Sequence, residues 1–236
     1  MYHMGTFKIA SLETISLQNV SIKLDGFDPV LEHVDLELPL DQNVLIQSSN
    51  PFHSVQFLQI LAGLQKPDSG CVMWNEQDIY TNDEADHLVP HQMVGAYFES
   101  QRPHPQKSMK TLFTEAGIKS DRQADLIEQF DFKKFSEVPF KNLSFEMQKT
   151  VQLVTIISKE PQMLILEDPA SGLSETVFLE VLDLIQYAQR RGHLRHIFFT
   201  NHHPTALRHM DATVMHLEDG LLYVEEKLDV KKVYNF

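Results

Sequence analysis

The chain has 236 residues, of which 42% are hydrophobic, and this is enough to bury the core of one domain. Its formal net charge of −13 argues against a nucleic-acid partner, because coating a phosphate polymer requires a basic face. No stretch reaches the roughly 20 apolar residues of a membrane span, and the single cysteine, Cys71, excludes an internal disulfide and suits a reducing cytoplasm.

The first half of the chain predicts strands separated by turns, with one helix. Residues 14–24 and 30–38 alternate apolar and polar side chains on either side of a turn, which predicts an antiparallel pair of half-buried strands. Residues 44–47 predict a short buried strand, followed by a tight turn and a helix from about Ser54 to Gly63. The remaining elements of this half are a turn at 67–70 and two strands at 71–74 and 94–98.

The second half predicts helices that alternate with short apolar strands. Residues 109–117 and 120–130 have the spacing of amphipathic helices, and a third helix over 145–158 begins after Asn142 or Ser144 as its cap. Strands follow at 163–166, 196–200 and 213–217, with a helix at 175–190 and a turn at 218–220. Strands alternating with helices favour an α/β fold with a mostly parallel sheet covered on both faces.

The twelve histidines do not predict a metal site. His87 and His91 are four residues apart, but Pro90 lies between them and breaks the helix that would align them. His202 and His203 are adjacent, so their side chains tend to point in different directions. We therefore expect no metal held by histidine clusters.

Three segments in order resemble the nucleotide-binding subunit of an ATP-binding-cassette (ABC) transporter. They read Ile-Leu-Ala-Gly-Leu-Gln-Lys-Pro-Asp-Ser-Gly at 60–70, Asn-Leu-Ser at 142–144 and Leu-Ile-Leu-Glu-Asp-Pro-Ala-Ser-Gly-Leu at 164–173. The resemblance covers about residues 14–224. It implies an α/β P-loop NTPase-like fold with a mostly parallel core sheet, an antiparallel β-subdomain and an α-helical subdomain. It also implies a single ABC ATPase-like domain over residues 1–236, with the helical subdomain inserted at about 101–160.

The phosphate loop of that family, G-x-x-G-x-G-K-[ST], is replaced here by Ser-Ser-Asn-Pro-Phe-His-Ser-Val at 48–55. Pro51 has no N–H to donate, Ser54 has no charge to set against phosphates, and Val55 has no oxygen for a cation. The remaining helix N-terminus contributes about 0.3–1 kcal/mol to an anion, against about 1.5–3 kcal/mol for each charge-assisted hydrogen bond lost. His53 is expected to have a surface or packing role. The counterparts of the family's ATP-binding residues in this loop are Ser48, Asn50, His53, Ser54 and Val55.

The family's signature loop, L-S-G-G-Q, falls on 143–147 and keeps only its first two residues. Ser144 remains, but Phe145 would crowd a γ-phosphate, and Glu146 would add a like charge that repels it by roughly 1–4 kcal/mol at about 4 Å. The resemblance implies an aromatic side chain stacked on adenine near Leu24, and no aromatic occupies that place. The resemblance places each nucleotide between the phosphate loop of one subunit and the signature of another, so both sites of a dimer would be impaired.

Two carboxylates, Glu167 and Asp168, stand in exchanged order where the family has the Asp that holds the Mg²⁺ water shell and the Glu that polarises the attacking water. The exchange displaces both groups by a methylene, and an error near 1 Å can cost about 100-fold in rate. The alternative is that they only cap a strand end. The γ-phosphate-sensing Gln falls on Glu99, with Gln101 two residues on, and the switch histidine is matched by His202.

These motifs leave three functions open. The favoured one is a degenerate, non-hydrolysing subunit that forms a structural or regulatory half of a membrane transport complex. A permease would hold it on the cytoplasmic face of a membrane, and a second ABC subunit, identical or different, would pair with it. It would need no cofactor; ATP and Mg²⁺ enter only if nucleotide binding persists, as in a weak ATPase using the exchanged carboxylates. The third function is a soluble interaction scaffold, and apolar side chains exposed around 97–101 would favour permease docking over it.

Overall fold

A computed structural model describes residues 11–23, 28–80, 93–200 and 209–224. The strands in these ranges are β1 (Ile15–Ile22), β2 (Leu31–Glu37), β3 (Asn43–Gln47), β4 (Ser69–Trp74), β5 (Gln77–Asp78), β6 (Val94–Tyr97), β7 (Met163–Leu166), β8 (His196–Phe199), β9 (Ala212–Glu218) and β10 (Leu221–Val224). The helices are α1 (Pro51–Leu61), α2 (Met109–Glu115), α3 (Ser120–Gln129), α4 (Phe145–Ile157) and α5 (Glu175–Arg190), with a 3₁₀ turn at Phe140–Asn142. No helix in the described ranges is long and apolar enough to cross a membrane.

The smaller sheet is antiparallel, with strand order β2-β1-β4-β5. The predicted antiparallel pair is confirmed: β1 pairs with β2, with register shifts on either side of Val20. Ile15, Leu17 and Val20 of β1 are buried. This sheet packs its apolar face into a core shared with α1.

The larger sheet has the strand order β10-β9-β3-β8-β7-β6, and all its neighbouring strands are parallel except β9 and β10. Every residue of β7 and β8 is buried, which explains their continuous apolar runs: parallel strands covered on both faces have no solvent side. The predicted α/β fold with a mostly parallel sheet is confirmed. Because β3, β6, β7 and β8 run parallel, their carboxyl ends lie at one edge of the sheet, here called the carboxyl edge.

Helix α1 begins earlier than the sequence analysis predicted. We expected a start near Ser54, but the first helical residue is Pro51. Asn50 is the N-cap, and its side chain accepts a hydrogen bond from the backbone N–H of Phe52 at 3.1 Å. Proline is favoured at the first helical position because it has no N–H that needs a partner. The Asn-Pro pair therefore starts the helix within the segment expected to be a tight turn.

Three helices, α2, α3 and α4, lie between β6 and β7. The choice between the two predicted caps of α4 is settled by geometry: the Ser144 hydroxyl accepts from Met147 N at 3.2 Å, so Ser144 and not Asn142 is the cap. The buried side chains of these helices, among them Phe113 and Leu126, belong to a second core cluster that also includes one face of the parallel sheet. The helices are therefore packed against the β6–β7 side of the sheet.

Candidate functional site

The turn after β3 is held by a carboxylate of the chain itself. The backbone N–H of Ser49 donates to Glu218 Oε1 at 2.5 Å, and the Ser49 hydroxyl donates to Oε2 at 2.6 Å. These hydrogen bonds hold the pKa of Glu218 below its ordinary value. Strand β9 runs parallel to β3 with His216 opposite Gln47, which brings Glu218 beside the turn. The donors that would face an external anion here are therefore engaged by an internal one.

The rest of the turn is closed by local hydrogen bonds. Asn50 N donates to the Ser48 hydroxyl at 3.2 Å, and His53 N donates to the Asn50 carbonyl at 3.0 Å. None of residues 48–55 has a left-handed backbone. Glycine-rich phosphate loops use such conformations to turn several N–H groups towards one anion. With Pro51 and the Asn50 cap in place, the backbone offers no comparable cradle.

The side chains of His53, Ser54 and Val55 do not supply the phosphate and cation ligands that the backbone of this turn lacks. Ser54, at the position of the lysine, is 2% exposed and lies on the buried side of α1. Val55 packs against the core, and His53 Nε2 is buried without a hydrogen-bond partner among the described residues. The residues of this turn therefore do not fit a nucleotide phosphate or its Mg²⁺.

A buried lysine connects the carboxylates of the carboxyl edge. Lys149 Nζ in α4 donates to the Asp168 carbonyl at 2.6 Å and lies 3.3 Å from Glu99 Oε1. The backbone N–H of Glu99 in turn donates to Glu167 Oε2 at 2.8 Å. Burial raises the pKa of Glu167. No signal in the sequence singled out Lys149, because a lysine within a helix ordinarily lies on the solvent side.

The two predicted catalytic residues are thus placed together, but the Glu167 carboxylate and the Asp168 backbone are both held by protein groups. Glu167 joins the loop after β7 to the loop after β6. Asp168 has a left-handed backbone (φ 41°), and its N–H donates to the Thr200 hydroxyl at 3.0 Å. These contacts are of the kind that the strand-capping interpretation predicts. His202 and the adenine-stacking position near Leu24 lie outside the described residues.

The segment at the position of the family's signature loop, residues 143–147, has its side chains engaged by contacts within the chain. The Phe145 ring is 48% exposed, packs on Gly172 and lies under the Arg102 guanidinium, 5.4 Å from ring centroid to Cζ. Glu146 Oε1 accepts a hydrogen bond from Ser174 N at 2.7 Å. The Ser144 hydroxyl is already used as the cap of α4. Phe145 is thus exposed at this face, and Glu146 is turned towards the loop before α5.

A groove of about 420 Å³ lies between the parallel sheet and the helices, beside Gln101. Tyr97 and Phe98 line it but are buried, so the described residues 97–101 do not show the exposed apolar side chains that would have favoured permease docking over a scaffold. The physical reason is that these rings pack inside the cores. The lining is mixed: the polar side chains of Gln101, Arg102, Glu115 and Lys159 stand beside the partly exposed apolar side chains of Leu112, Ala116 and Ile156.

Comparison with known proteins identifies the family. A family model described as "ABC transporter" matches residues 31–171. The metal-staphylopine import system ATP-binding protein of Staphylococcus aureus is 22% identical over 185 residues, covering 73% of this chain and 72% of that protein. The spermidine/putrescine import ATP-binding protein of Marinobacter nauticus is 23% identical over 222 residues, covering 88% of this chain and 56% of that protein. Against other curated relatives, including proteins of Vibrio vulnificus and Photobacterium profundum, this chain spans only about a third of their length.

Solved structures show the same architecture. An ATP-binding subunit of an ABC transporter superposes with a TM-score of 0.75 at 17% identity, covering 94% of this chain and 93% of that one. A dimeric ATP-binding cassette in a post-hydrolysis state, bound to ADP and Pi, superposes with a TM-score of 0.73 at 19% identity, covering 91% and 98%. The fold of this chain is the ABC ATPase fold, and the chain belongs to the ABC transporter family.

Proposed function

We propose that this chain is a degenerate ATP-binding-cassette subunit that does not hydrolyse ATP and serves as a structural or regulatory half of a membrane transport complex. It would be a single cassette domain over residues 1–236, with α2, α3 and α4 forming the helical subdomain at about 101–160. A permease would hold it at the cytoplasmic face of a membrane, and a second cassette, identical or different, would pair with it.

The observation that carries the proposal is the state of the turn at 48–55. A phosphate-binding turn needs several free N–H donors and a positive side chain. Here Ser49 donates to Glu218, Asn50 caps α1, and Ser54 is buried. The first two contacts satisfy backbone N–H donors that a nucleotide phosphate would otherwise satisfy, and the third leaves no charged side chain at the position of the lysine. Loss of phosphate handling with retention of the fold agrees with an architectural role.

The groove beside Gln101 is the candidate contact for the permease, although Tyr97 and Phe98 are too buried to add apolar surface there. It lies between the sheet and the helices and, at about 420 Å³, has room for a few side chains of another protein. Phe52 and Phe145, 51% and 48% exposed, offer apolar surface for a second cassette. Single exposed aromatics are common on protein surfaces, so this second contact depends on the family's pairing rather than on the rings alone.

Nucleotide binding tests the central claim. The purified chain is titrated with a fluorescent ATP analogue and Mg²⁺, beside an active cassette as positive control and a Pro51→Gly/Ser54→Lys variant. We expect no saturable binding by the parent up to millimolar nucleotide and no ATP hydrolysis. Micromolar binding by the parent would refute the proposal and favour the weak ATPase that uses Glu167 and Asp168.

Site-specific crosslinking tests the partner. A photoreactive residue at Glu115, on the rim of the groove, is compared with one at Glu128, an exposed position of α3 outside the groove. In cells that make the protein, we expect Glu115 to crosslink to a polytopic membrane protein and Glu128 not to do so. Equal yields, or a soluble protein as the product at Glu115, would favour the interaction scaffold instead.

A further inference from the structure

We propose that Lys149 is a resident cation of the carboxyl edge, and that its ammonium group holds the acidic loops of this edge together without a bound metal ion. The inference rests on the proposed function, because a hydrolysing subunit would need the same edge open to the cation that accompanies its nucleotide. It assigns to the chain itself the positive charge that the neighbouring carboxylates require.

The position of Lys149 is unusual for a lysine. Its side chain is completely buried, in the middle of α4, and removing an ammonium group from water is unfavourable unless partners compensate for it. Three groups do so: the Asp168 carbonyl at 2.6 Å, Glu99 Oε1 at 3.3 Å, and the face of the Tyr97 ring, whose centroid is 5.2 Å away. A lysine that only filled space would not be surrounded by acceptors on three sides.

The ionisable side chains around Lys149 are carboxylates. Burial lowers the pKa of Lys149, and Glu99, Asp168 and Glu167 act in the opposite direction and favour its charged form. Burial also raises the pKa of Glu167, where Glu99 and Asp168 add to the effect and Lys149 opposes it. The acidic surroundings therefore favour the charged form of Lys149, and that charge in turn opposes the rise in the pKa of Glu167.

A metal ion is poorly provided for at the same place. In the part of the chain that the structure describes, no three His, Cys, Asp or Glu side chains are grouped to hold a metal. Val55, at the position where the family has a metal-binding hydroxyl, has no oxygen to offer. The ammonium group of Lys149 is the positive charge in direct contact with Glu99 and with the backbone of Asp168.

The contacts of Lys149 join three separate segments. Glu99 follows β6, Asp168 follows β7, and Lys149 belongs to α4. The hydrogen bond from Glu99 N to Glu167 closes the arrangement between the two loops. Loss of the ammonium group should therefore remove the charge that offsets the repulsion between Glu99 and Glu167, and millimolar Mg²⁺ could then partly screen that repulsion.

The test compares the urea unfolding of three proteins: the parent, Lys149→Met and the control Lys134→Met, which replaces a lysine on the surface. Each is unfolded once with EDTA and once with millimolar MgCl₂. Fluorescence of the single, buried Trp74 reports unfolding. We expect K149M to raise the unfolding equilibrium constant by roughly 100-fold, below the full effect of breaking a buried pair because the Glu99 side chain is 40% exposed. Mg²⁺ should reverse part of this loss in K149M and leave the parent and K134M unchanged.

Two results would overturn the inference: K149M as stable as K134M, or a parent that Mg²⁺ stabilises as much as it stabilises K149M. If K149M does not fold, Glu99→Gln tests the contact from its exposed side, with the surface change Glu128→Gln as control. Here we expect about a tenfold larger unfolding constant, and no difference from the control would overturn the inference. Nucleotide binding by the parent alongside these expected effects would overturn the proposed function alone.

Discussion

The contact between Glu218 and Ser49 gives the sharpest prediction about the turn after β3. Glu218→Gln keeps the size of the side chain and one hydrogen-bond acceptor, but removes the charge and one of two acceptor oxygens. A hydrogen bond to a charged group contributes about 1.5–3 kcal/mol and a neutral one about 1 kcal/mol. Because Glu218 lies partly exposed at the sheet edge, we take the lower values and expect the variant to lose about 1–2 kcal/mol of unfolding free energy at pH 7.

The pH dependence of this loss follows from the direction of the pKa shift. Ser49 holds the pKa of Glu218 below its ordinary value, so the unfolded state binds the proton more readily than the folded state. The stabilisation is therefore complete above the unfolded pKa, near 4.3, and is lost as the pH falls through the lower folded pKa. The difference between parent and E218Q should be full at pH 7 and should disappear under strongly acidic conditions.

Urea unfolding followed by Trp74 fluorescence measures this difference at a series of pH values. The matched control is Glu128→Gln, an exposed glutamate on α3, which should change the unfolding free energy by less than about 0.5 kcal/mol at every pH. Hydrogen exchange of the Ser49 amide gives a local readout, and its protection should fall in E218Q. An E218Q variant that matches the control at pH 7, or whose loss is the same in acid, would refute the role given to this carboxylate.

Three further predictions concern local features. Asn50→Ala removes the acceptor for Phe52 N and should cost about 1 kcal/mol in urea unfolding, whereas Asn50→Asp should be nearly neutral. Gly172→Ala adds a methyl group that overlaps the Phe145 ring, at φ 71°, and should cost about 2 kcal/mol; Phe145→Ala should recover part of this in the double variant. Burial lowers the pKa of His196, so its neutral form stabilises the fold above the unfolded pKa near 6.5, and the contribution is lost as the pH falls below it. Parent stability should thus decrease from pH 7 to pH 5, and His196→Asn should reduce that slope.

The mostly parallel character of the larger sheet, though not its strand order, could be predicted from the sequence because its signals are local. Apolar runs such as Met163–Leu166 and His196–Phe199 have no polar alternation, which is typical of parallel strands buried on both faces. The start of α1 was predicted wrongly even though its signal was present. Asn50 followed by Pro51 is a strong helix start, but the resemblance to a phosphate loop led to a turn being expected there.

The contacts that define the candidate site could not be predicted in the same way. Ser49 and Glu218 are 169 residues apart, and no periodicity connects them. Lys149 lies in a helix that is buried along most of its length, but a lysine in a sequence reads as a solvent-facing residue. Both contacts depend on how β9, α4 and the loops meet in three dimensions, and the charge partners are visible only once the sheet order is known.

Under the proposed function, the contacts of the turn after β3 predict that a single substitution does not restore phosphate binding. Ser54→Lys would place an amine on the buried side of α1, because the helix begins three residues earlier, at Pro51. To face a phosphate, that amine would need the first turn of α1 to unwind, which breaks the Asn50 cap. The Ser49 donors would also have to be released from Glu218. Each step loses a contact that stabilises the present fold, so the replacements at 48–55 are mutually dependent rather than independent losses.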